Sequence, residues 1–418
     1  LDILTKQIAV IAFSIGFLFL IIAVFFVKDP VMESFLFALG MIVAFIPEGL
    51  LPAVTLSLAL AVQKMAKEHA LVKKLSAVET LGCTNVICSD KTGTLTQNEM
   101  TVNHLWTIHS EMLVSGEGYE PNGDIRDHDI TVTAKNSHAL ELLLSGAALC
   151  SNAKLLPPKD ASGRYTVLGD PTEACLSVAA QKGGIDLDLM QQHYPRIMEL
   201  PFDSRRKRMT TIHQLRETFE GANRIAFVKG SPKEVMELCS RCFDTSSSRP
   251  MEQEDRNRIM QANDIYAREG LRVLAVAYRP LRKNDDTLPD SIREYTADNV
   301  ERDLTFLGLV AMQDPPRSEV KDAVQLCHSA GIKIIMITGD YGLTAESIAR
   351  KIGIVQGSQA RVISGSELSE MSDEALKLAL KGEVIFARMA PEQKYRIVCA
   401  LQEMGNIVAV TGDGVNDS

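Results

Sequence analysis

Two long apolar runs near the amino terminus constrain the fold of this chain more than any other feature of its sequence. Ala9 to Val27 comprises nineteen residues without a charged side chain, and a second apolar run extends from Ser34 to Val62. An α-helix rises about 1.5 Å per residue, so each run is long enough to cross about 30 Å of hydrocarbon. A signal peptide, whose apolar region is shorter, and a buried core helix are the competing interpretations. We therefore predict a transmembrane helical hairpin within residues 1–63.

The lysines that flank these runs predict the orientation of the hairpin. Two crossings return the chain to the side on which it began. Lys6 precedes the first run, and four lysines follow the second: Lys64, Lys67, Lys73 and Lys74. Positive residues are enriched in the cytoplasmic segments of membrane proteins. We expect an integral protein of the plasma membrane, with a lipid bilayer as its partner and with its large domains in the cytoplasm.

The charge balance excludes one class of partner. The 418 residues include 53 Asp and Glu against 44 Lys and Arg, a formal charge of −9, so the chain lacks the basic excess of a nucleic-acid-binding protein. All eight cysteines follow the second apolar run, where the compartment is reducing, so we expect no disulfides. Cys239 and Cys242 form a single CxxC without a second pair, and we assign no zinc to them.

Four short apolar runs in the polar part of the chain close with polar residues: Asn85–Asp90, Ile332–Asp340, Glu383–Arg388 and Asn406–Asp413. Such runs are typical of buried parallel strands. Helical patterns lie beside them, at Ser318–Ala330, Thr344–Ile352 and Glu392–Met404. The alternation predicts a doubly wound α/β sheet with its polar residues gathered at the carboxyl ends of the strands. The first run lies more than two hundred residues before the others, so we predict a domain inserted at 104–308, between halves 64–103 and 309–418.

Asp90 stands at the end of the first of these runs, in the segment DKTGTLT of residues 90–96. A carboxylate at a strand end can attack a phosphorus atom, while N–H groups and hydroxyls of the turn hold the phosphoryl oxygens. Residues 411–417, TGDGVND, add two acids and an asparagine, the hard oxygen ligands that Mg²⁺ prefers. Three further residues are candidates to stabilise the charge that develops during transfer: Lys394, Thr338 and Gly339. The chain contains no GxxxxGK[ST] motif, which excludes a P-loop nucleotidase.

These motifs resemble those of a known family. DKTGTLTQNEMTV and TGDGVND are similar to the phosphorylation and hinge motifs of P-type ATPases, members of the haloacid-dehalogenase-like superfamily. Further segments resemble type II cation pumps, in the expected order: Ile46–Leu50, Ser76–Gly82, Gly169–Glu173, Phe202–Lys207, Lys229–Pro232 and Asp314–Arg317. The resemblance covers the chain nearly end to end. It implies a Rossmann-like phosphorylation domain, an inserted α+β nucleotide-binding domain and a transmembrane helical hairpin.

The resemblance also implies roles for matching positions in phosphoryl transfer. Asp90 would be phosphorylated by ATP, and Mg²⁺ would be held by Asp90, by the carbonyl of Thr92 and by Asp413. The phosphoryl group and its surroundings would be held by five residues: Lys394, Thr338, Gly339, Asn416 and Asp417. ATP and Mg²⁺ are therefore the expected substrate and cofactor.

A second set of positions would bind the nucleotide. Phe202 would stack on adenine, Lys229 would line the same pocket and Glu173 would meet the base. Lys207 and Arg272 would reach the phosphates, and Arg388 and Asp340 would contact the nucleotide from the phosphorylation domain. An aromatic face beside cations fits a purine triphosphate. Ser231 stands where the family often has alanine, a small-for-small change.

The second apolar run carries a candidate ion site. Pro47 and Pro52 cannot donate main-chain hydrogen bonds, so the helix is expected to break near Glu48. A carboxylate in hydrocarbon is costly unless it is paired or metal-bound. We predict that Glu48 binds the transported cation, as opposed to being a protonated Glu packed beside a proline kink.

The sequence does not determine which ion is transported, and it is compatible with two further functions. Leu50–Leu51 resembles sodium/potassium and proton/potassium pumps, whereas Leu81–Thr84 resembles calcium pumps, and calcium is slightly favoured. The two further functions are a soluble phosphatase of the same superfamily and a non-catalytic nucleotide-binding fragment. The resemblance also implies an actuator domain before Leu1 and more ion-binding helices after Ser418. On that expectation this piece does not complete a transport cycle alone.

Overall fold

The chain folds into two compact units, Leu1–Thr84 and Asn85–Ser418. The computed structural model describes residues 2–45, 50–158, 165–357 and 360–412. Four of the predicted site residues, Glu48, Asp413, Asn416 and Asp417, lie outside the described residues.

The first unit is helical. Its elements are α1 (Asp2–Ile22), continued by a π-helical turn (Ala23–Val27), α2 (Val31–Phe45), α3 (Leu50–Lys67) and α4 (Leu75–Gly82). Helices α1 and α2 are antiparallel neighbours. The rings of Phe19 and Phe37 are 5.1 Å apart, and a Cβ placed on Gly16 would lie 2.4 Å from Ile42. The small side chains of Ala12, Ala23 and Ala38 are buried here, as is common where apolar helices pack closely.

The apolar character of α1 continues to Val27. The stretch Lys6–Val27 has the length and composition to cross a membrane, with a mean hydropathy of 3.0, and no other described helix meets both criteria. Its large side chains are mostly exposed, for example Phe17 at 65% and Phe26 at 79%. The helix predicted from the first apolar run is thus confirmed. The second run is described as α2 and α3, on either side of residues 46–49, and α2 is a shorter apolar helix.

The second unit is mixed α/β. Its described strands are β1 (Val86–Ser89), β2 (Thr101–Trp106), β3 (Glu111–Val114), β4 (Ile125–Asp127), β5 (Ile130–Val132), β6 (Lys154–Leu156), β7 (Thr166–Leu168), β8 (Arg196–Asp203), β9 (Arg208–Phe219), β10 (Ala222–Gly230), β11 (Cys239–Phe243), β12 (Ser248–Pro250), β13 (Arg272–Leu281), β14 (Leu304–Gln313), β15 (Lys333–Ile337), β16 (Arg361–Ser364), β17 (Val384–Ala387) and β18 (Val408–Thr411). Its described helices are α5 (His138–Leu149), α6 (Pro171–Lys182), α7 (Leu187–His193), α8 (Pro232–Met236), α9 (Gln253–Arg268), α10 (Ala297–Val300), α11 (Val320–Ser329), α12 (Gly342–Lys351), α13 (Gly365–Glu370), α14 (Asp373–Ala379) and α15 (Pro391–Glu403), with a 3₁₀ turn at Ile292–Glu294.

Five strands form a parallel sheet in the order β16-β17-β15-β1-β18. Alternate residues of a strand point to opposite faces, so Ile335 and Ile337 join one buried cluster while Ile334 and Met336 join another. Helices α13, α14 and α15 cover the first face, and α11 and α12 cover the second. The four predicted parallel strands and the three predicted helices are confirmed. Strand β16, at the sheet edge, was not predicted.

An eleven-stranded sheet makes up most of the intervening chain. Its main path is β5-β4-β3-β2-β14-β13-β10-β9-β8, with β11 and β12 attached beside β14. Helices α5 and α6 pack on it, and the buried cluster between them includes Leu143, Phe227 and Val276. Strands β2 and β14 pair with each other and run across the predicted boundaries at 103/104 and 308/309.

Candidate functional site

Asp90 lies directly after β1, an inner strand of the parallel sheet. Its N–H donates to the carbonyl of Thr411 at 3.0 Å, which ties the end of β1 to the end of β18. The chain then turns sharply through Lys91–Leu95, where Thr92 is extended (ψ 131°) and Gly93 has a positive φ of 71°. A side chain at position 93 would be strained in this left-handed conformation. The turn therefore presents the Asp90 carboxylate at the carboxyl edge of the sheet.

Two donors hold the Asp90 carboxylate. Its Oδ1 accepts from the N–H of Lys91 at 2.6 Å, and its Oδ2 accepts from Lys394 Nζ, also at 2.6 Å. Both charged side chains are mostly buried, 16% exposed for Asp90 and 17% for Lys394. Lys394 lies in the first turn of α15, 304 residues away along the chain. The fold thus brings together the two residues that the sequence selected for phosphoryl transfer.

The residues that follow β15 surround the same loop. Thr338 is 1% exposed, and its hydroxyl accepts from the N–H of Asp340 at 3.1 Å, across Gly339. Asp340 forms an ion pair with Lys91, and it accepts from the Thr92 hydroxyl at 3.3 Å. These contacts place Asp340 against the Asp90 loop, close to the residues predicted to hold the phosphoryl group.

Arg388 follows β17 at the same sheet edge. Its N–H donates to the carbonyl of Asp340 at 2.9 Å, and its guanidinium lies over the ring of Tyr341, 4.8 Å from the centroid. Its φ is +56°, which is uncommon for a residue with a side chain. The cation is therefore held close to the Asp90 loop by both its backbone and its aromatic neighbour.

Asp314 and Arg317 support the Asp90 loop, a role that the sequence did not predict. The buried Asp314 accepts from the Thr96 hydroxyl and from the N–H of Glu99, the latter at 3.1 Å. Arg317 donates to the carbonyl of Gly93 at 2.7 Å, so the Asp-Pro-Pro-Arg segment holds both the middle of the turn and the residues that follow it. The sequence signal is the segment itself, which indicates the family but not this contact.

A second group of predicted residues lies on the large sheet. Lys229, on β10, is 5% exposed, and its Nζ lies 2.8 Å from Oε1 of Glu173. The other carboxylate oxygen of Glu173 accepts from the N–H of Asn152 at 2.6 Å. Arg272, at the start of β13, donates to the Thr172 hydroxyl at 3.0 Å, next to Glu173. Three of the predicted nucleotide-binding residues therefore meet around the first turn of α6.

The hairpin between β8 and β9 carries two more. Phe202 is 62% exposed, so its ring is accessible. Lys207 has a φ of +51°, and its Nζ lies 2.6 Å from Glu234 Oε1. This contact holds the pKa of Glu234 at about 2, against an ordinary value of 4.5. The carbonyl of Lys207 accepts from the N–H of Ser231 at 2.9 Å, which links the hairpin to the strand of Lys229.

The described residues contain no group of three or more His, Cys, Asp or Glu side chains arranged for a metal ion. All eight cysteines are free. Cys239 and Cys242 are buried, and burial raises the pKa of Cys239 to about 12 and that of Cys242 to about 11. Burial thus favours the protonated form of both thiols.

The chain is similar in sequence to known proteins. Residues 139–319 match the family described as P-type ATPase, cytoplasmic domain N. The chain is 40% identical to a calcium-transporting ATPase of Bacillus subtilis over 92% of its own length and 42% of the relative's. It is 38% identical to a probable cation-transporting ATPase F of Mycobacterium bovis, over 94% of the chain and 42% of that protein.

A mammalian relative is equally similar. The chain is 38% identical to the potassium-transporting ATPase alpha chain 2 of Cavia porcellus, over 98% of the chain and 41% of that protein. The chain thus spans about two fifths of the length of the curated relatives that it matches. These matches show that the chain belongs to the P-type ATPase family, of whose members it represents a part.

Proposed function

We propose that the protein containing this chain is a cation pump that hydrolyses ATP through a phosphorylated Asp90. The observation that carries the proposal is the Asp90 carboxylate, held at the carboxyl edge of a parallel sheet with Lys394 Nζ 2.6 Å from Oδ2. A carboxylate nucleophile beside a fixed cation suits phosphoryl transfer, since the cation offsets the charge of the incoming phosphate.

The proposed reaction is an in-line displacement at the γ-phosphorus of ATP. An oxygen of Asp90 forms a bond to phosphorus, the bond to the β,γ-bridging oxygen breaks, and ADP leaves with that electron pair. Lys394, Thr338 and Gly339 supply positive charge and donors for the phosphoryl oxygens. Water later hydrolyses the acyl phosphate, releasing inorganic phosphate and restoring Asp90.

Mg²⁺ fits the donors present at this loop, because carboxylate and carbonyl oxygens are the hard ligands that it prefers. The Asp90 carboxylate and the Thr92 carbonyl would hold it together with Asp413, with Asn416 and Asp417 nearby in sequence. When bound, Mg²⁺ would supply charge neutralisation at the phosphates.

The nucleotide part of the proposal rests on the large sheet. Phe202 offers an exposed ring for adenine. Lys229 and Glu173, which we assign to the same nucleotide site, form an ion pair with 2.8 Å between Nζ and Oε1. The cations proposed to reach the phosphates are Lys207 and Arg272. Arg388, with Asp340 beside it, is proposed to contact the nucleotide from the phosphorylation domain. Lys207 would exchange its contact with Glu234 for a phosphate when ATP binds.

Thr92 favours a pump over a soluble phosphatase of the same superfamily. An acid at this position would serve as a general acid and base that speeds hydrolysis, whereas Thr92 donates its hydroxyl to Asp340 at 3.3 Å. A slowly hydrolysed acyl phosphate lasts long enough to drive a conformational change. The residues proposed for catalysis around Asp90 all have the chemical types that phosphoryl transfer requires, which argues against a non-catalytic, nucleotide-binding role.

For the transported ion we propose Ca²⁺, with exchange of Na⁺ (or H⁺) for K⁺ as the second candidate. The Bacillus subtilis relative has calcium in its name, and the Cavia porcellus relative has potassium. Glu48 is the proposed ligand within the second apolar run. Its carboxylate would suit either ion, so the choice depends on helices beyond this chain.

We further propose the placement of the chain in the whole pump. Residues 1–63 are a pair of membrane-spanning helices, 64–103 with 309–418 a haloacid-dehalogenase-like phosphorylation domain, and 104–308 the nucleotide-binding domain. The large domains lie in the cytoplasm beneath the plasma membrane. The partners are the transported cation, the bilayer, and the actuator domain and later helices of the same full-length protein.

The test is formation of an acid-stable phosphoenzyme from γ-labelled ATP by the full-length protein in membranes. We expect label that requires one cation among Ca²⁺, Na⁺ and K⁺, with Mg²⁺ present throughout, and that hydroxylamine removes. Asp90→Asn abolishes it while ATP still binds, since the nucleotide pocket lies on the other sheet. The matched control is Asp129→Asn on an exposed turn, which keeps full labelling. Absence of label with intact ATP binding would contradict the proposal and favour the non-catalytic role.

A further inference from the structure

Glu301 carries the most completely buried carboxylate among the ion pairs that the structure describes. It follows α10, just before β14, and its side chain is 0% exposed. Its Oε1 accepts from Arg206 and from the Thr210 hydroxyl, the latter at 2.7 Å, and its Oε2 accepts from Arg208 Nε at 2.7 Å. A buried carboxylate is tolerated only when it is paired and hydrogen-bonded this fully. None of the roles assigned so far uses this cluster.

Both arginines that meet Glu301 flank the tip of the β8–β9 hairpin. Arg206 also donates through Nη2 to the carbonyl of Pro201 at 2.8 Å, immediately before Phe202. Arg208 donates through Nη1 to the carbonyl of Arg206 at 3.0 Å. The carboxylate of Glu301 is therefore connected to both arms of the hairpin by guanidinium groups with fixed geometry.

The tip that these groups hold is a constrained one. Lys207 adopts a positive φ of +51°, and its N–H donates to the carbonyl of Asp203 at 2.6 Å. Asp203 Oδ1 in turn accepts from the N–H groups of Arg205 and Arg206, at 3.0 and 2.8 Å. A left-handed residue with a side chain persists only where its surroundings fix it. Release of the arginines from Glu301 would let the tip relax.

We propose that Glu301 is a positioning residue for ATP, acting through Arg206 and Arg208 to hold Phe202 and Lys207 at the spacing that the nucleotide requires. This inference rests on the proposed function, which assigns those two residues to adenine and phosphate. Glu301 does not touch the nucleotide itself. Its effect is on the affinity for ATP and not on the chemistry at Asp90.

The test measures phosphoenzyme formation by the full-length protein as a function of ATP concentration. Glu301→Gln keeps the size of the side chain and removes its charge, so two arginines lose their anionic acceptor. We expect the ATP concentration for half-maximal labelling to rise about 10-fold, with the maximal level unchanged. Labelling of Asp90 by inorganic phosphate, the reverse of hydrolysis, does not use the nucleotide hairpin and stays at the wild-type level.

A second variant tests the route through Arg206. Arg206→Met, at a side chain that is a quarter exposed, is expected to raise the half-maximal ATP concentration similarly. The double variant is then no worse than either single one, because both changes break the same connection. Additive losses would mean that Arg206 meets the nucleotide independently of Glu301, and would overturn the proposal.

The matched control is Asp255→Asn. Asp255 is another buried carboxylate of this sheet region, paired through both oxygens with Arg249 at 2.6 and 2.8 Å, and its described contacts include none of the nucleotide residues. Its replacement leaves the ATP dependence unchanged.

If Glu301→Gln abolishes labelling altogether, the ATP dependence of Arg206→Met alone tests the proposal. Unchanged ATP dependence in the variants overturns this inference by itself, whereas absent ATP-dependent label in the wild type overturns the proposed function and this inference with it.

Discussion

In the proposed mechanism, the carboxylate of Asp90 and the ammonium of Lys394 are the groups on which the chemistry depends most directly. Their 2.6 Å contact places the cation directly beside the proposed nucleophile. We expect Lys394→Met to lower the rate of phosphoenzyme formation about 100-fold, the usual effect of removing a preorganised charge. ATP binding should be largely unchanged, because most of the residues that we assign to the nucleotide lie on the other sheet.

The measurement is rapid-quench labelling at saturating ATP. Lys321→Met, which removes an exposed lysine from α11, provides the control and keeps the wild-type rate. A rate that stayed near wild type in Lys394→Met would show that Lys394 only balances the charge of resting Asp90.

His213 gives the large sheet a predictable response to pH. The ring is 1% exposed, with Nδ1 2.8 Å from the carbonyl of Tyr194 and Nε2 2.9 Å from the Thr211 hydroxyl. A carbonyl only accepts, so Nδ1 carries the proton and Nε2 accepts from Thr211. Burial therefore favours the neutral ring and lowers the pKa of His213 from 6.5 to about 4.

The unfolded chain takes up a proton at His213 as the pH falls through 6.5, whereas the folded protein does so only near pH 4. The free energy of unfolding should therefore decrease across this window, by at most about 1.4 kcal/mol per pH unit. His213→Gln removes this part of the slope. Urea unfolding in detergent, followed by the fluorescence of Trp106, the chain's single tryptophan, measures it. An identical slope in the variant would contradict a buried neutral His213.

At the scale of elements, the packing of α5 against the large sheet depends on a glycine in β14. A Cβ at Gly308 would lie 2.4 Å from the carbonyl oxygen of Trp106 and 2.8 Å from Leu143 of α5. The backbone of a central strand cannot shift without disturbing the ladder between β2 and β14. We expect Gly308→Ala to lower the free energy of unfolding by about 1–3 kcal/mol, the range for overpacked cores. Gly382→Ala, whose nearest atom would be 3.8 Å away, should change it little. Equal effects of the two substitutions in the Trp106 unfolding assay would argue against close packing at Gly308.

The same element shows what the sequence can and cannot predict. Four of the five parallel strands were predicted because each is a short apolar run that closes with polar residues, with helical patterns beside them. Pairing within the large sheet was not predicted. Trp106 and Leu309 are paired although about two hundred residues separate them, and the local sequence around either residue does not indicate its partner strand. Likewise Asp90 and Lys394 were selected by chemical type, whereas the clamp by Asp314 and Arg317 depends on geometry that only the fold supplies.

At the scale of the whole molecule, the described part of the chain separates into units with different solvents. Large apolar side chains of α1 and α2, such as Phe17 and Phe37, are exposed, as suits helices surrounded by lipid. The clusters of buried apolar residues all lie between Val86 and Val408, in the second unit. Strand β1, the first strand of that unit, pairs with β18, its last described strand, and also with β15. Each unit thus has the composition that its own surroundings require.

This separation predicts that residues 85–418 fold without the first unit. The described clusters of buried apolar residues lie within this segment, and so does every described residue that we assign to the nucleotide, from Glu173 to Arg388. We expect the segment to be soluble, to unfold cooperatively with the buried Trp106 as reporter, and to bind ATP as tightly as the intact chain does in detergent. Calorimetric titration with ATP measures the last point, with Phe202→Ala as the variant that loses affinity. If the segment aggregates, or folds but binds ATP more weakly than the intact chain, the helical unit contributes to the stability or geometry of the nucleotide site, and the two units are not independent.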